Sequence, residues 1–136
     1  MKKTNVLLLL CFTFIVNAFG ADAWIRINQL GYLPNSNKRA IYIGKTSEKV
    51  ETFTLHQALT DEIVFKSNTP EAKGSFYTFD TSYVLDFSAF NTPGVYYLKA
   101  GNTVSPKIYI NTNIYDGTAD FALNYMRQQR CGYNPL

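Results

Sequence analysis

The sequence predicts an all-β domain, a sandwich or a barrel, that runs into the start of a helix. Three observations predict it. Short runs rich in β-branched and aromatic residues recur between residues 24 and 110, separated by turn residues at intervals of about 8–12. Inside those runs apolar residues fall on alternate positions, the period of a half-buried strand. Near the end, in DGTADFALNYMRQQRCG, the apolar period changes to the roughly 3.6 residues of a helix.

The first residues belong to neither element. Lys2 and Lys3 precede an apolar run at 6–16, VLLLLCFTFIV, and small residues follow at Ala18, Gly20, Ala21 and Ala23. This order of charge, apolar run and small residues is that of a secretory signal peptide over residues 1–20, with cleavage after Gly20 or after Ala23. The run is shorter than the roughly 20 apolar residues a permanent membrane helix needs. Lipidation at Cys11 does not fit, because Leu10 is too large for the position before a lipidated cysteine. The expected location is therefore periplasmic or extracellular, with no membrane attachment after the leader is removed.

Charge and cysteine content exclude several classes. Taking Lys2 and Lys3 from the 13 basic side chains leaves 11 against 10 acidic ones, so a formal charge of +3 falls to about +1. A near-neutral chain has no electrostatic footprint for nucleic acid. Of the two cysteines, Cys11 leaves with the signal and Cys131 remains alone, either a buried thiol or half of a missing pair. One Cys and one His, His56, make no zinc site, and no metal or cofactor is expected. No glycine-rich phosphate loop is present.

The expected strands are WIRINQL (24–30), KRAIYIG (38–44), ETFTLHQ (51–57), EIVFKS (62–67), SFYTFD (75–80), SYVLDF (82–87), VYYLKA (95–100) and PKIYI (106–110). Turns are expected at 34–37, 46–49, 68–74, 91–94 and 100–102. Ile25 and Ile27 share a face, as do Phe53 and Leu55, Leu85 and Phe87, Tyr96 and Leu98, and Ile108 and Ile110. Lys99 and Lys107 fall on the wet faces. In NTPGVYYL (91–98), a glycine turn enters a strand and Tyr96 follows two residues later. That is the shape of the tyrosine corner of immunoglobulin domains, with Leu98 standing where a disulfide cysteine would be. The simpler reading makes Tyr96 a core aromatic with a wet hydroxyl.

A helix is expected over 117–130. Asp116 can cap it, Asp120 suits the positive end of the dipole, Arg127 and Arg130 suit the other end, and Gly132 can terminate it. Ala119, Ala122, Leu123 and Met126 make its stripe, flanked by Phe121 and Tyr125. This apolar face is broader than one helix on a sandwich needs, so part of it calls for a partner.

Chemistry is sparse. Asp116 and Asp120 lie four apart on a helix, but a cap and a dipole partner explain them better than an acid–base pair. Asp61 and Glu62 read as solvated turn, Asp80 and Asp86 as strand ends without partners, and His56 as an ordinary strand residue. Trp24, Tyr32, Tyr42, Tyr77, Tyr83, Tyr97 and Tyr109 include candidates for a sugar-stacking platform, although sandwich cores use aromatics too.

Three stretches carry a resemblance: RINQLGYLPNSNKRA (26–40), DFSAFNTPGVYYLKAG (86–101) and ALNYMRQQRCG (122–132). Together they resemble the N-terminal immunoglobulin-like module of family-nine glycoside hydrolases, the cellulase and endoglucanase family, and the first helix of the catalytic (α/α)6 barrel that follows it. The match runs from about residue 25 to residue 134. The resemblance implies residues 24–111 as the sandwich and residues 112–136 as linker and first helix of an incomplete catalytic domain. It further implies inverting hydrolysis of β-1,4-glucans, with two carboxylates roughly 6.5–9.5 Å apart around a water. The family's base lies in an Asp-Ala-Gly-Asp type motif and its acid is a Glu late in the barrel. Neither falls within residues 1–136, so no catalytic residue is assigned. The expected partners are the barrel in cis and, through it, a polysaccharide. The expected packing surface is Asn28, Gln29, Gly31 and Tyr32 with Tyr125 and Met126. The alternative is an exported carbohydrate-binding or adhesion-type sandwich acting alone.

Overall fold

The computed structural model describes residues 22–129. Among these residues nine strands precede one helix: β1 (Ala23–Arg26), β2 (Arg39–Gly44), β3 (Phe53–Gln57), β4 (Ile63–Ser67), β5 (Glu71–Ala72), β6 (Thr81–Asp86), β7 (Gly94–Ala100), β8 (Thr103–Val104), β9 (Ile108–Ile110) and α1 (Thr118–Gln128). One sheet has the order β1-β2-β6-β5. The other has β4-β3-β7-β8, with β9 also paired to β7. Every named pair is antiparallel. Two sheets face to face bury the alternate residues of both inner faces. Ile25, Phe53, Leu55, Leu85, Phe87, Tyr96, Leu98, Ile108 and Ile110 all lie in that core, and Ile27 packs partly against it. Leu98 is fully buried in the position a cystine would take.

Several expected elements differ. The first strand ends at Arg26 rather than residue 30, because Asn28 turns the chain: its side-chain oxygen accepts from the Leu30 amide and the Gly31 amide bonds its carbonyl. The stretch 75–80 is a tight turn, not a strand: Phe76 and Phe79 exchange backbone hydrogen bonds around Tyr77 and Thr78. Its aromatic content mimics a strand, but Tyr77 stands at φ +53°. Conversely, β5 forms inside the turn expected at 68–74, and β8 forms just after the turn expected at 100–102, where no strand is expected. Each is two residues long, too short to carry an alternation signal.

The helix begins at Thr118, not residue 117, and its N-cap is Gly117 in a left-handed conformation with no side-chain cap. Asp116 therefore does not cap it. Asp120 does lie in the first turn and Arg127 in the last. Arg130, Cys131 and Gly132 lie outside the described residues.

A feature with no sequence signal closes one end of the sandwich. Lys38 is fully buried. Its ammonium donates to the Pro34 carbonyl at 2.5 Å, the Ser36 carbonyl at 2.9 Å and Asn91 Oδ1 at 3.3 Å. Buried charge is tolerated only when its protons are taken up in this way. Burial pushes its pKa below the usual lysine value, opposed by the charge of Asp86.

Candidate functional site at the junction of sandwich and helix

The chain leaves the sandwich through the turns after β9, and the loop after β1 grips it there. The Tyr32 amide donates to the Tyr109 carbonyl at 2.8 Å, and the Asn111 amide donates to the Tyr32 carbonyl at 3.1 Å. Gly31 sits between them at φ +111°. A Cβ there would stand 2.5 Å from the Tyr109 carbonyl oxygen and 2.7 Å from the Ile114 side chain, so only glycine fits. Asn28 Nδ2 donates to the Gly31 carbonyl at 2.8 Å and to Tyr115 Oη at 3.1 Å. Tyr115 Oη in turn donates to the Gly31 carbonyl at 2.9 Å. This small network joins the β1 loop to the turn that launches α1.

Tyr32 is the interior half of the same device. Its ring is buried edge-on to Phe87, with centroids 5.4 Å apart. The hydroxyl accepts from the Asn28 amide at 3.0 Å and donates to the Arg39 carbonyl at 2.7 Å. Burial raises its pKa, with the Asn28 amide acting against it. The structure thus brings Asn28, Gly31 and Tyr32 together, with Tyr115 and Ile114 as members the sequence reasoning missed. Tyr115 directly precedes the Asp116-Gly117 turn, and an aromatic beside a helix start was the available signal. Gln29 is exposed.

Beyond this root, α1 buries nothing. Phe121 is 80% exposed, Tyr125 65%, Met126 64% and Leu123 52%. A sandwich that encloses its own core thus ends in a helix with four large apolar side chains in solvent. The apolar face is wider than the sequence stripe alone, because Phe121 and Tyr125 are as open as Met126.

The polar residues elsewhere have structural partners. Asp86 Oδ2 accepts from Arg39 Nε at 3.0 Å, so it is not an unpartnered strand end. Nor is Asp61 plain solvated turn. It stands in a left-handed conformation at φ +58°. Its Oδ1 meets His56 Nδ1 at 3.1 Å and Lys99 Nζ at 3.4 Å, and accepts a hydrogen bond from the Tyr97 hydroxyl. The Tyr97 bond holds the Asp61 carboxyl below its ordinary pKa; slight burial opposes it and Lys99 reinforces it. His56 lies in β3 as expected, and it is buried. Its Nε2 meets Thr54 Oγ1 at 2.8 Å, and its ring stacks on Tyr97 at 5.1 Å. Hydroxyl, imidazole and carboxylate stand in relay order, but on the outer face of a sheet and knitted to Tyr97 and Lys99. They clamp the β3–β4 turn.

Tyr96 Oη donates to the Pro93 carbonyl at 3.2 Å, back across the turn that opens β7. Of the aromatic residues considered for a sugar platform, Tyr32 and Tyr42 are buried, and Tyr97 lies between His56 and Lys99. Tyr77 and Tyr109 are exposed. Among the described residues no group of three or more His, Cys, Asp or Glu could hold a metal ion. No helix of the described residues is long and apolar enough to cross a membrane.

Fold and junction define a class: an immunoglobulin-like sandwich followed by a helix that buries none of its residues. Residues 20–105 match the family model described as the cellulase N-terminal ig-like domain. The chain belongs to that family. A xyloglucan-specific endo-beta-1,4-glucanase of Bacteroides ovatus is 40% identical over 106 residues, spanning 78% of this chain and 17% of that protein. Endoglucanase D of Acetivibrio thermocellus is 30% identical over 121 residues, spanning 87% of this chain and 18% of that protein. Among solved structures, a Bacteroides ovatus GH9 protein superposes with a TM-score of 0.66 at 37% identity, over 77% of this chain and 18% of that one. A metagenome-derived glycoside hydrolase family 9 endoglucanase gives 0.65 at 25% identity, over 83% and 23%. The chain spans less than a fifth of the length of these two curated relatives, and the match lies in their N-terminal part.

Proposed function

We propose that this chain is the front part of an exported family-nine endoglucanase acting on β-1,4-glucans, with the sandwich as a support for the catalytic barrel. One observation carries the reading: α1 leaves a closed sandwich with no buried residue and four exposed large apolar side chains. A helix in that state is stabilised by tertiary packing it has yet to make. In this reading α1 is the first helix of the barrel, residues 24–111 are the support and residues 112–136 lead into the enzyme.

The contact surface with the barrel is Asn28, Gln29, Tyr125 and Met126. Gly31 and Tyr32 shape it from beneath, since both are buried. The relatives named as endoglucanases motivate the substrate class. The apolar segment at 6–16 with its flanking residues motivates export to the periplasm or beyond.

The test compares the chain alone with the chain joined to a family-nine barrel. Alone it releases no reducing sugar from soluble β-glucan. In the joined protein, amide exchange slows at 28–32 and across 118–128. Sugar release by the chain alone, or unchanged exchange in those segments, would overturn the proposal. The intact mass of secreted product tests the export step, with loss of residues 1–20 or 1–23 expected.

A further inference from the structure

The turn at 76–79 lies at the end of the sandwich remote from α1. The pairings Ala23↔Gly44 and Gly44↔Thr81 place it where β1 starts. The helix root lies at the other end, where Tyr32 bridges Ile110 and Ile110 pairs Gly94. Phe76 and Phe79 form the closing pair of the turn, so their side chains share one face. Phe79 packs edge-on to Trp24, the chain's single tryptophan, with centroids 6.0 Å apart. Trp24 and Phe79 thus anchor a strip that continues outward to Phe76, 69% exposed, and Tyr77, 93% exposed.

Tyr77 carries a second signal. It holds φ +53°, a left-handed conformation that is costly for a bulky side chain. Glycine or asparagine at this position would relieve the strain, and neither would present an aromatic ring. Asp61, at φ +58°, is held in the same conformation by His56 and Tyr97, whereas the Tyr77 side chain stands out in solvent.

The surroundings select the ligand's chemistry. The nearby cations are engaged: Lys73 pairs with Glu71, and Lys45 lies over the Trp24 ring at 5.4 Å. The Glu71 carboxylate beside Lys73 and the Asp80 side chain next to Phe79 offset these positive charges, so the surroundings of the turn do not favour an anion. Ser75 and Thr78, both exposed, set hydroxyl-bearing side chains beside the rings. Open aromatic faces edged by the Ser75 and Thr78 hydroxyls and the Asp80 carboxylate, all able to hydrogen-bond, fit a neutral polymer with apolar C–H faces and equatorial hydroxyls. We propose that the turn at 76–79 is an accessory contact for a β-linked glucan chain, holding polymer at the end of the module remote from the barrel. This rests on the endoglucanase reading above.

The experiment is affinity electrophoresis of the full chain in native gels containing xyloglucan, mixed-linkage β-glucan or hydroxyethyl cellulose, with dextran as control. The β-glucans retard the chain and dextran does not. Tyr77→Asn keeps or raises the melting temperature, because asparagine tolerates the left-handed conformation, yet weakens retardation by about fivefold or more. Tyr77→Trp restores it. An unretarded wild-type chain, undiminished retardation of Tyr77→Asn, or binding to anionic lipid vesicles in place of glucan would each overturn the proposal. Unchanged exchange on joining the barrel, with retardation intact, would remove the support-module reading and leave a glucan-binding sandwich. Absent retardation with slowed exchange would remove the accessory contact alone.

Discussion

The sandwich and the helix are built to different rules. In the sandwich, two sheets bury each other's apolar faces, and buried polar side chains such as Lys38 and His56 have hydrogen-bond partners. In α1, eleven residues form hydrogen-bonded turns around nothing, with no residue buried. The contrast teaches that secondary structure and tertiary completion are separable along one chain. Residues up to Ile110 complete their own fold, whereas Thr118–Gln128 hold helical form with their large apolar side chains in solvent.

Substitutions can break or sharpen that contrast. Phe87→Ala removes a fully buried ring from between the sheets and is expected to cost about 3–5 kcal/mol, read as a lowered urea midpoint with unchanged slope. A loss under about 1 kcal/mol would mean the sandwich core is loosely packed. Tyr96→Phe removes only the hydroxyl that reaches the Pro93 carbonyl, and about 1 kcal/mol of stability should go with it. An unchanged melting curve would make Tyr96 a core aromatic with a wet hydroxyl.

Asp61 offers a pH test. Its folded-state pKa is lowered below 3.8, chiefly by the Tyr97 hydroxyl. A carboxyl depressed by folding stabilises the fold above its unfolded pKa, and that contribution is lost as pH falls through the folded value. Wild type should therefore exceed Asp61→Asn in stability at pH 6, and the gap should close below about pH 3.8. A gap that persists at pH 2 would show that asparagine disturbs the turn by shape alone.

The smallest effect belongs to the helix. Phe121→Ser, at an 80% exposed position, should change the stability of this chain by no more than about 0.5 kcal/mol. Joined to a barrel, the same substitution should cost several times more. Equal small effects in both settings would count against α1 as a packed helix of the enzyme.

The sequence showed the parts that depend on neighbours along the chain. Alternation located the inward residues of β3, β6, β7 and β9, and the change of period located α1 to within two residues at each described end. The Asn-Gln-x-Gly-Tyr stretch stood out because its residues are constrained by one another: Asn28 folds back on Gly31, and the Tyr32 hydroxyl bonds the Asn28 amide. What stayed hidden depends on contacts across the fold. β5 and β8 exist only because β6 and β7 have open edges beside them. The link between His56 and Asp61 forms across a bulge at Leu55/His56 and a left-handed turn residue, neither visible in residue spacing. Asp116 looked like a cap because side-chain chemistry suited it, but the backbone conformation belongs to Gly117. Lys38 opens the expected strand 38–44, and nothing local shows that three oxygens from Pro34, Ser36 and Asn91 would close over it.

That lysine has a consequence for the conditions in which the molecule can live. An oxygen cage around a cation is a common way to fasten loops together, and when the cation is a free metal ion the fastening depends on supply. Here the cation is covalently attached to the chain it fastens. It has no dissociation constant, cannot be diluted away and cannot be stripped by a chelator. The corner formed by residues 34–38 and Asn91 is therefore as firm in ion-poor surroundings as in rich ones, and it assembles with folding itself.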